Sequence, residues 1–252
     1  MQHWLAARGG ARQNAGMNDF YLPAYCSALS ADWPQPLRLP EVHMLSTRFD
    51  VALLHPEDFQ RCGVPSVNGV AKRQAEHLAG RLCAREALRA LTGVAQIPAI
   101  GEDRAPQWPA GIAGSITHGA GWAGAVVAQR SAWRGLGLDV EKHLPEQRAE
   151  RLAEQILTPA ELSRLENSPA AQRAARIGLT FSLKESLFKA LYPLVLRQFY
   201  FHDAELIDAD PNGHASLRLL IDLHADWPAG SQLQGQFAEF DGHLLSLVGI
   251  PA

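Results

Sequence analysis

The sequence predicts an α+β fold of two similar lobes, each with a long helix packed on a small antiparallel sheet. Helical periodicity covers residues 70–91 and again residues 169–192, and each stretch is followed by short apolar runs separated by turn signals. No sequence repeat is recognisable, so the pseudo-twofold relation is a hypothesis about architecture alone. We expect an N-terminal lobe over residues 17–136, a C-terminal lobe over residues 137–252, and the functional site at their seam.

The composition is that of a soluble globular protein with a sizeable core. The chain has 252 residues, 47% of them hydrophobic, and a formal charge of -3 from 23 basic and 26 acidic residues. This balance argues against a nucleic-acid-binding surface, and no apolar run is long enough for a membrane span. The three cysteines are far apart and lack a CxxC pair, which indicates a reducing cytosol and excludes a disulfide or zinc framework. We expect a cytoplasmic protein and a monomer.

The N-terminal segment shows little periodicity. Residues 1–16 carry arginines but lack the apolar region of a secretory signal, so we expect an upstream-start extension or a disordered tail. Residues 17–68 are rich in proline, and within them the alternating stretch HMLSTRF predicts a first strand between residues 42 and 54.

The first long helix, residues 70–91, is followed by the terminator Thr92-Gly93. Its polar faces carry Lys72, Arg73 and Arg81, with further arginines. A basic helix face is usually only solvated surface. The alternative is a phosphate-binding bank, because guanidinium groups match phosphate oxygens in geometry.

A loop with Arg104 and Pro106 leads to two short apolar runs, residues 112–117 and 122–128, which predict paired strands joined by a tight turn. Ser115, Thr117 and His118 lie at the end of the first strand, where polar donors could meet an anion. A lone histidine near a strand end is more often structural.

The stretch GLGLDVE, residues 135–141, predicts another strand. Residues two apart on a strand point the same way, so Asp139 and Glu141 project together, opposite Leu138 and Val140. Solvent-facing carboxylates are the alternative. The glycines beside them favour instead a strand with another element packed closely against it.

Two helix starts follow. Thr158-Pro159-Ala160-Glu161 has the composition of a capping box, and Ser168-Pro169 repeats the signal before a helix that we expect to end at Pro193. Beyond it, residues 204–223 and 234–250 predict two β-hairpins.

The helix over residues 169–192 contains the segment KESLFK. Glu185 and Lys189 are four apart and share a face, with Lys184 beside them, so that one carboxylate is held between two ammonium groups. The alternative is an ordinary surface ion pair, for which this order is favourable. If the acidic strand packs beside the helix, Asp139, Glu141 and Glu185 converge as hard oxygen ligands. Such a site suits Mg²⁺, with Mn²⁺ as an alternative ion, and commonly serves a diphosphate or triphosphate.

These motifs, GLGLDVE, FSLKESLFKA, SITH and AEHLAGRLCAR, together resemble the Sfp-type 4'-phosphopantetheinyl transferases. The sequences of these motifs are most similar to those of the subgroup that contains enterobactin synthase component D and the broad-range carrier-protein synthases of pseudomonads. The resemblance implies transfer of the phosphopantetheine arm of coenzyme A to a serine of an apo carrier protein, with release of adenosine 3',5'-bisphosphate. The carriers would be of the fatty acid, polyketide or nonribosomal peptide type, with siderophore synthesis among the pathways served.

The resemblance also implies roles for individual residues. Asp139, Glu141 and Glu185 would bind Mg²⁺, and Glu185 would also accept the proton of the attacking serine. Lys189 would steady the diphosphate charge. The residues that would hold coenzyme A are Lys72, Arg73, Arg81, Arg104, Pro106, Ser115, Thr117, His118, Lys184 and Lys189. The family's Gly-Lys-Pro adenine loop corresponds here to Asp103-Arg104-Ala105-Pro106, a departure that bears on the role of Arg104.

Two other functions remain open from the residues alone. One is a coenzyme A-binding scaffold of a synthase complex that has no turnover. The other is a magnesium-dependent diphosphate hydrolase, in which water replaces the carrier serine.

Overall fold

The computed structural model describes residues 21–252, so the prediction of an extension or tail over residues 1–16 lies outside the described residues. The helices are α1 (Glu57–Cys62), α2 (Ala71–Thr92), α3 (Glu146–Ile156), α4 (Pro159–Glu166) and α5 (Ala170–Val195). The strands are β1 (His43–Arg48), β2 (Ala99–Ile100), β3 (Pro106–Gln107), β4 (Ile112–Gly119), β5 (Trp122–Gln129), β6 (Trp133–Lys142), β7 (Ala204–Ala209), β8 (His214–Leu219), β9 (Gln232–Phe240) and β10 (His243–Pro251). The predicted α+β fold, with long helices on antiparallel sheets, is confirmed.

The first sheet has the strand order β1-β5-β4, and α2 packs across it. The helix approaches β4 closely at Gly80, where an added Cβ would stand 2.7 Å from the side chain of Ile116. Gly93 ends the helix in the left-handed conformation, at φ 79°, as its sequence position predicts. This close packing brings one face of the basic helix beside the end of β4.

The second sheet has the order β6-β10-β9-β8-β7, and α5 lies across one of its faces. Leu183, Leu187 and Leu191 of α5 are fully buried there against the sheet. The other face of β6 contributes Leu138 and Val140 to a separate core shared with the first sheet. The predicted alternation along β6 is therefore confirmed, but the strand is covered on both faces. The predicted boundary between residues 136 and 137 falls inside this strand.

Side chains connect the two sheets where β4 runs beside β6. The Ser115 and Thr117 hydroxyls accept hydrogen bonds from the backbone N–H groups of Leu138 and Val140, each at 3.0 Å. Both hydroxyl residues are buried. Each hydroxyl oxygen thus joins the two lobes, but its O–H group can still donate, so the sequence interpretation of Ser115 and Thr117 as anion donors stays a prediction.

The glycines of β6 allow α5 to lie directly on the strand. A Cβ on Gly137 would overlap the carbonyl oxygen of Ser186 and stand 2.7 Å from the backbone nitrogen of Ala190. The prediction of an element packed closely against this strand is confirmed, and the element is the helix that carries Glu185 and Lys189.

The capping box at Thr158 and Glu161 is confirmed, whereas Ser168 bonds the Arg164 carbonyl and does not cap α5. The predicted end of the long helix at Pro193 is wrong: α5 continues through it to Val195, since a proline in the last turn removes a single helical hydrogen bond. Helices α1 and α3 were not predicted.

None of the helices within residues 21–252 combines the length and apolar character that crossing a membrane requires.

Candidate active site

Lys189 connects the helix α5 to the acidic strand β6. Its ammonium group lies 2.7 Å from Asp139 Oδ1 and 3.1 Å from the Leu138 carbonyl oxygen. Among the described ion pairs its partner is thus Asp139 and not Glu185, so the surface-pair alternative does not describe this lysine. The contact places residues 50 apart in sequence at one point of the seam.

Glu141 and Glu185 lie close enough to Asp139 for the carboxylates to repel one another. Burial first, and then the charges of Asp139 and Glu185, raise the pKa of Glu141 to about 7. Burial also raises the pKa of Glu185, an effect opposed by Lys189 and reinforced by Asp139. Both glutamates are half-buried. The structure therefore brings the three predicted carboxylates into one electrostatic cluster.

The donor chemistry of this cluster fits a hard divalent cation. Carboxylate oxygens are the ligands that Mg²⁺ prefers, and a cation would relieve the repulsion that raises the glutamate pKa values. Within residues 21–252, no three His, Cys, Asp or Glu side chains stand as a closed metal-binding group. Side-chain movement by the half-buried glutamates would be needed to close one around an ion.

A basic cluster lies on the other side of Lys189, where α2 meets the end of β4. His118 is partly exposed, and its Nδ1 lies 3.8 Å from Glu76 Oε2. Desolvation lowers the pKa of His118. The Glu76 carboxylate opposes this effect, and the nearby charge of Lys189 reinforces it. Burial, then Arg81, lower the pKa of His77 to about 4, with smaller contributions from His118 and Arg73. Three predicted phosphate-binding residues, Arg73, Arg81 and His118, are therefore neighbours.

Arg81 and Lys72, two basic residues of α2, differ in exposure. Arg81 is buried and donates to the Ala99 carbonyl oxygen at 3.5 Å, whereas Lys72 is exposed and pairs with Glu76 at 3.8 Å. Arg81 can therefore meet an anion only through the small accessible part of its side chain, and Lys72 lies at the outer edge of the cluster.

A cleft of about 750 Å³ lies between the β2–β3 hairpin and the C-terminal half of α5. Arg104, Pro106, Ser115 and Lys189 are among its lining residues. Arg104 occupies the hairpin turn with φ 68°, and the nearby Asp103 carboxylate raises the pKa of Tyr192 on α5. Lys189 thus borders both the cleft and the carboxylate cluster.

Lys184 does not belong to this site. Its ammonium donates to Glu161 Oε2 at 2.7 Å and to the carbonyl oxygens of Ile156 and Phe201 at 2.8 and 2.9 Å. All three N–H groups are therefore used in a buried position. The prediction that Lys184 binds coenzyme A is corrected on this ground: adjacent helical residues point about 100° apart, so Lys184 faces α4.

We expect the change Lys184→Met to destabilise the fold by about 3–5 kcal/mol, because it leaves the buried Glu161 carboxylate without its counter-charge. Urea unfolding measures the difference. The exposed Lys142 offers a matched control, Lys142→Met, whose free energy of unfolding should change by about 0.5 kcal/mol or less. Equal midpoints for the two variants would contradict this account of Lys184.

The raised pKa of Glu141 has a consequence for stability in metal-free buffer. Between pH 4.5 and about 7 the folded protein keeps a proton on Glu141 that the unfolded chain has lost. The free energy of unfolding contributed by this group therefore falls as pH rises through that window. We expect Glu141→Gln to remove that fall, and urea unfolding in EDTA at a series of pH values tests it through the difference between wild type and variant. A difference that does not change with pH would refute the assignment.

Some neighbours of the site were missed by sequence reasoning. Glu76 and His77 lie on the basic helix and were not singled out, although their spacing from Arg73 and Arg81 places all four near one face. Tyr192 lies one turn beyond Lys189 and could have been found by the same rule. Ser182 lies one turn before Glu185 and donates to Asp139 Oδ2 at 2.9 Å.

Comparison with known proteins gives a consistent family. Residues 66–128 match the profile of the 4'-phosphopantetheinyl transferase N-terminal domain, and residues 135–248 match that of the 4'-phosphopantetheinyl transferase superfamily. The chain is 39% identical over 188 residues to the 4'-phosphopantetheinyl transferase PptT of Mycobacterium tuberculosis, covering 71% of this chain and 80% of the relative.

Two further relatives agree. The 4'-phosphopantetheinyl transferase Svp of Streptomyces mobaraensis is 33% identical over 207 residues, which is 80% of each chain. Enterobactin synthase component D of Escherichia coli K12 is 46% identical over 119 residues, 47% of this chain and 55% of that protein. Since the two profiles cover residues 66–128 and 135–248, and a relative at 39% identity covers 71% of this chain, this chain belongs to the 4'-phosphopantetheinyl transferase superfamily.

Proposed function

We propose that the protein transfers the phosphopantetheine arm of coenzyme A to a serine of an apo carrier protein in a Mg²⁺-dependent reaction. Family membership supports the transferase class. The observation that carries the finer proposal is the contact between Lys189 and Asp139, at 2.7 Å, between the carboxylate cluster and the open cleft. A diphosphate at this point would meet a cation-binding group on one side and basic side chains on the other.

The basic residues would bind coenzyme A along the seam. His118, Arg73 and the accessible edge of Arg81 offer positive or donor groups to phosphate oxygens. The cleft lined by Arg104, Pro106 and Tyr192 offers apolar and polar surface for the nucleoside end. These contacts would leave the diphosphate beside Lys189.

Asp139, Glu141 and Glu185 would hold the magnesium ion, which when bound supplies positive charge to the diphosphate oxygens. Lys189 would donate to the same phosphates when its contact with Asp139 is exchanged, and so reduce repulsion towards the incoming oxygen. In the transfer, the serine Oγ forms a bond to the phosphorus that carries the pantetheine arm, and the bond from this phosphorus to the bridging oxygen breaks. Adenosine 3',5'-bisphosphate leaves.

Glu185 would accept the proton of the serine. Its raised pKa brings the carboxyl nearer to the working range of a general base. Because it is half-buried beside Lys189 and Asp139, the same group can lie next to both the ion and the nucleophile.

The expectation of a cytoplasmic monomer stays a prediction.

Incubation with coenzyme A, Mg²⁺ and an apo carrier protein tests this function. We expect the intact mass of the carrier to rise by one phosphopantetheine arm, with no rise in EDTA. Glu185→Gln should lower the rate on the order of 10²–10⁴-fold, the range typical for loss of a general base. No mass gain with fatty acid, polyketide or peptide carriers would overturn the proposal.

The same assay separates the alternatives. A coenzyme A-binding scaffold would bind the cofactor without forming adenosine 3',5'-bisphosphate, and would tolerate Glu185→Gln. A diphosphate hydrolase would release that product at equal rates with and without carrier.

A further inference from the structure

Three serine hydroxyls form a buried chain beneath the acidic strand. Ser182 and Ser186 lie one turn apart on α5, and Ser246 lies on β10 directly opposite Asp139 in the β6–β10 pairing. All three serines have 0% of their surface exposed. The Oγ atoms of Ser182 and Ser246 are 2.7 Å apart, and those of Ser246 and Ser186 are 2.8 Å apart. The serine chain therefore connects α5, β6 and β10 beside Asp139, the candidate metal ligand.

The Asp139 carboxylate at one end of the serine chain sets the direction of its hydrogen bonds. An ionised carboxylate only accepts hydrogen bonds, so the Ser182 hydroxyl donates to Asp139 Oδ2, at 2.9 Å. The Ser182 oxygen can then accept from the Ser246 hydroxyl, and the single hydroxyl hydrogen of Ser186 is shared between the Oγ and the backbone carbonyl oxygen of Ser246, which lies 3.0 Å away. Hydrogen bonds aligned in this way polarise one another in a low-dielectric interior.

Together with Lys189, this chain fixes the orientation of the Asp139 carboxyl group. Lys189 holds Oδ1 and Ser182 holds Oδ2, so both oxygens have a partner and rotation about the terminal side-chain bond is restrained. Ser182 is the firmer of the two anchors, because the serine is fully buried whereas the Lys189 side chain is 27% exposed. The lysine can exchange its partner when an anion enters the cleft, while the serine contact remains.

We propose that Ser182, supported by Ser246, is a positioning residue that presents the Asp139 carboxylate to a divalent cation. The inference rests on the proposed function, because the ion is the one assigned there to Asp139, Glu141 and Glu185. Loss of a hydrogen-bonding partner of a metal-ligating carboxylate commonly lowers the metal affinity 10–100-fold. The hydroxyl chain has the burial and the direction that such a role requires.

Binding of Mn²⁺ to the full-length protein, followed by electron paramagnetic resonance, tests the proposal without reference to turnover. We expect Ser182→Ala to weaken Mn²⁺ affinity about 10–100-fold, and Ser246→Ala to weaken it less, because the bond from Ser182 to Asp139 survives. Ser182→Thr keeps the hydroxyl and should recover most of the affinity. Ser216→Ala, at a half-buried serine of β8 away from the site, is the matched control and should bind as wild type.

The urea midpoint of each variant separates positioning from folding. A loss of affinity in Ser182→Ala, at a pH and temperature where the variant is folded, supports the proposal. Affinity within twofold of wild type in folded Ser182→Ala overturns it. If Ser182→Ala does not fold, Ser246→Ala decides: weakened binding supports the role of the chain, and unchanged binding refutes it. Failure of the wild-type protein to bind Mn²⁺ would instead refute the metal assignment in the proposed function.

Discussion

Replacing Asp139 by asparagine is expected to lower the rate of carrier modification on the order of 10²–10³-fold, as is typical when one preorganised electrostatic partner is lost. The amide has nearly the shape of the carboxyl group but no charge. It therefore neither balances the Lys189 ammonium, which lies 2.7 Å away, nor serves as a charged ligand for a divalent ion. The intact mass of the carrier, followed over time, measures the rate.

The control for this change is Asp226→Asn. Asp226 is an exposed carboxylate that pairs with Arg134 at 2.8 Å on the surface of the second sheet, and such pairs contribute about 0–1 kcal/mol. Its loss should leave carrier modification near the wild-type rate. Activity of Asp139→Asn within tenfold of wild type would contradict the assignment of Asp139 to the site.

The second large effect is expected for folding. Gly137→Ala should lower the free energy of unfolding by about 3 kcal/mol or more, beyond the usual cost of overpacking, because the new Cβ would meet backbone atoms that cannot rotate away. Relief requires α5 to move off β6, which would also separate Lys189 from Asp139. Urea unfolding and the yield of folded protein measure the effect.

Gly178→Ala, a glycine-to-alanine change within α5, provides the contrast. The nearest atom to its added Cβ would be 3.9 Å away, on Leu144, so the methyl group fits. Alanine is the better helix former, and we expect stabilisation of about 0.5–1 kcal/mol. If Gly137→Ala unfolds at the wild-type midpoint, the close contact of helix and strand is not as described.

The periods of regular structure explain what the sequence could predict. Alternation on β6 placed Asp139 and Glu141 on one face, and the spacing of four placed Glu185 and Lys189 on another, so that only the packing of the two elements was needed to form the cluster. The glycines of the strand supplied that packing signal. The turn signals between apolar runs predicted the hairpins, whereas the order of the strands in the two sheets was not predicted.

Other features had no local signal. Proximity in sequence suggested that Lys184 shares the site, but its direction is decided by the α4 residue Glu161, which lies 23 residues away. Ser182 and Ser246 are ordinary serines in sequence, and only the fold shows that they meet under Asp139. The pairing of Lys189 with the strand also depends on tertiary contact. These assignments rest on long-range geometry that periodicity does not contain.

The hydroxyl contacts between β4 and β6 make two backbone amides into reporters of lobe separation. Leu138 and Val140 donate their N–H groups to Ser115 and Thr117, which belong to the other sheet, and not to the neighbouring strand β10. Deuterium will therefore enter these two positions when the halves of the protein part, even if the β6–β10 ladder stays intact. Amide exchange at Leu138 and Val140, with and without coenzyme A, would measure how often the seam opens and whether the cofactor keeps it shut.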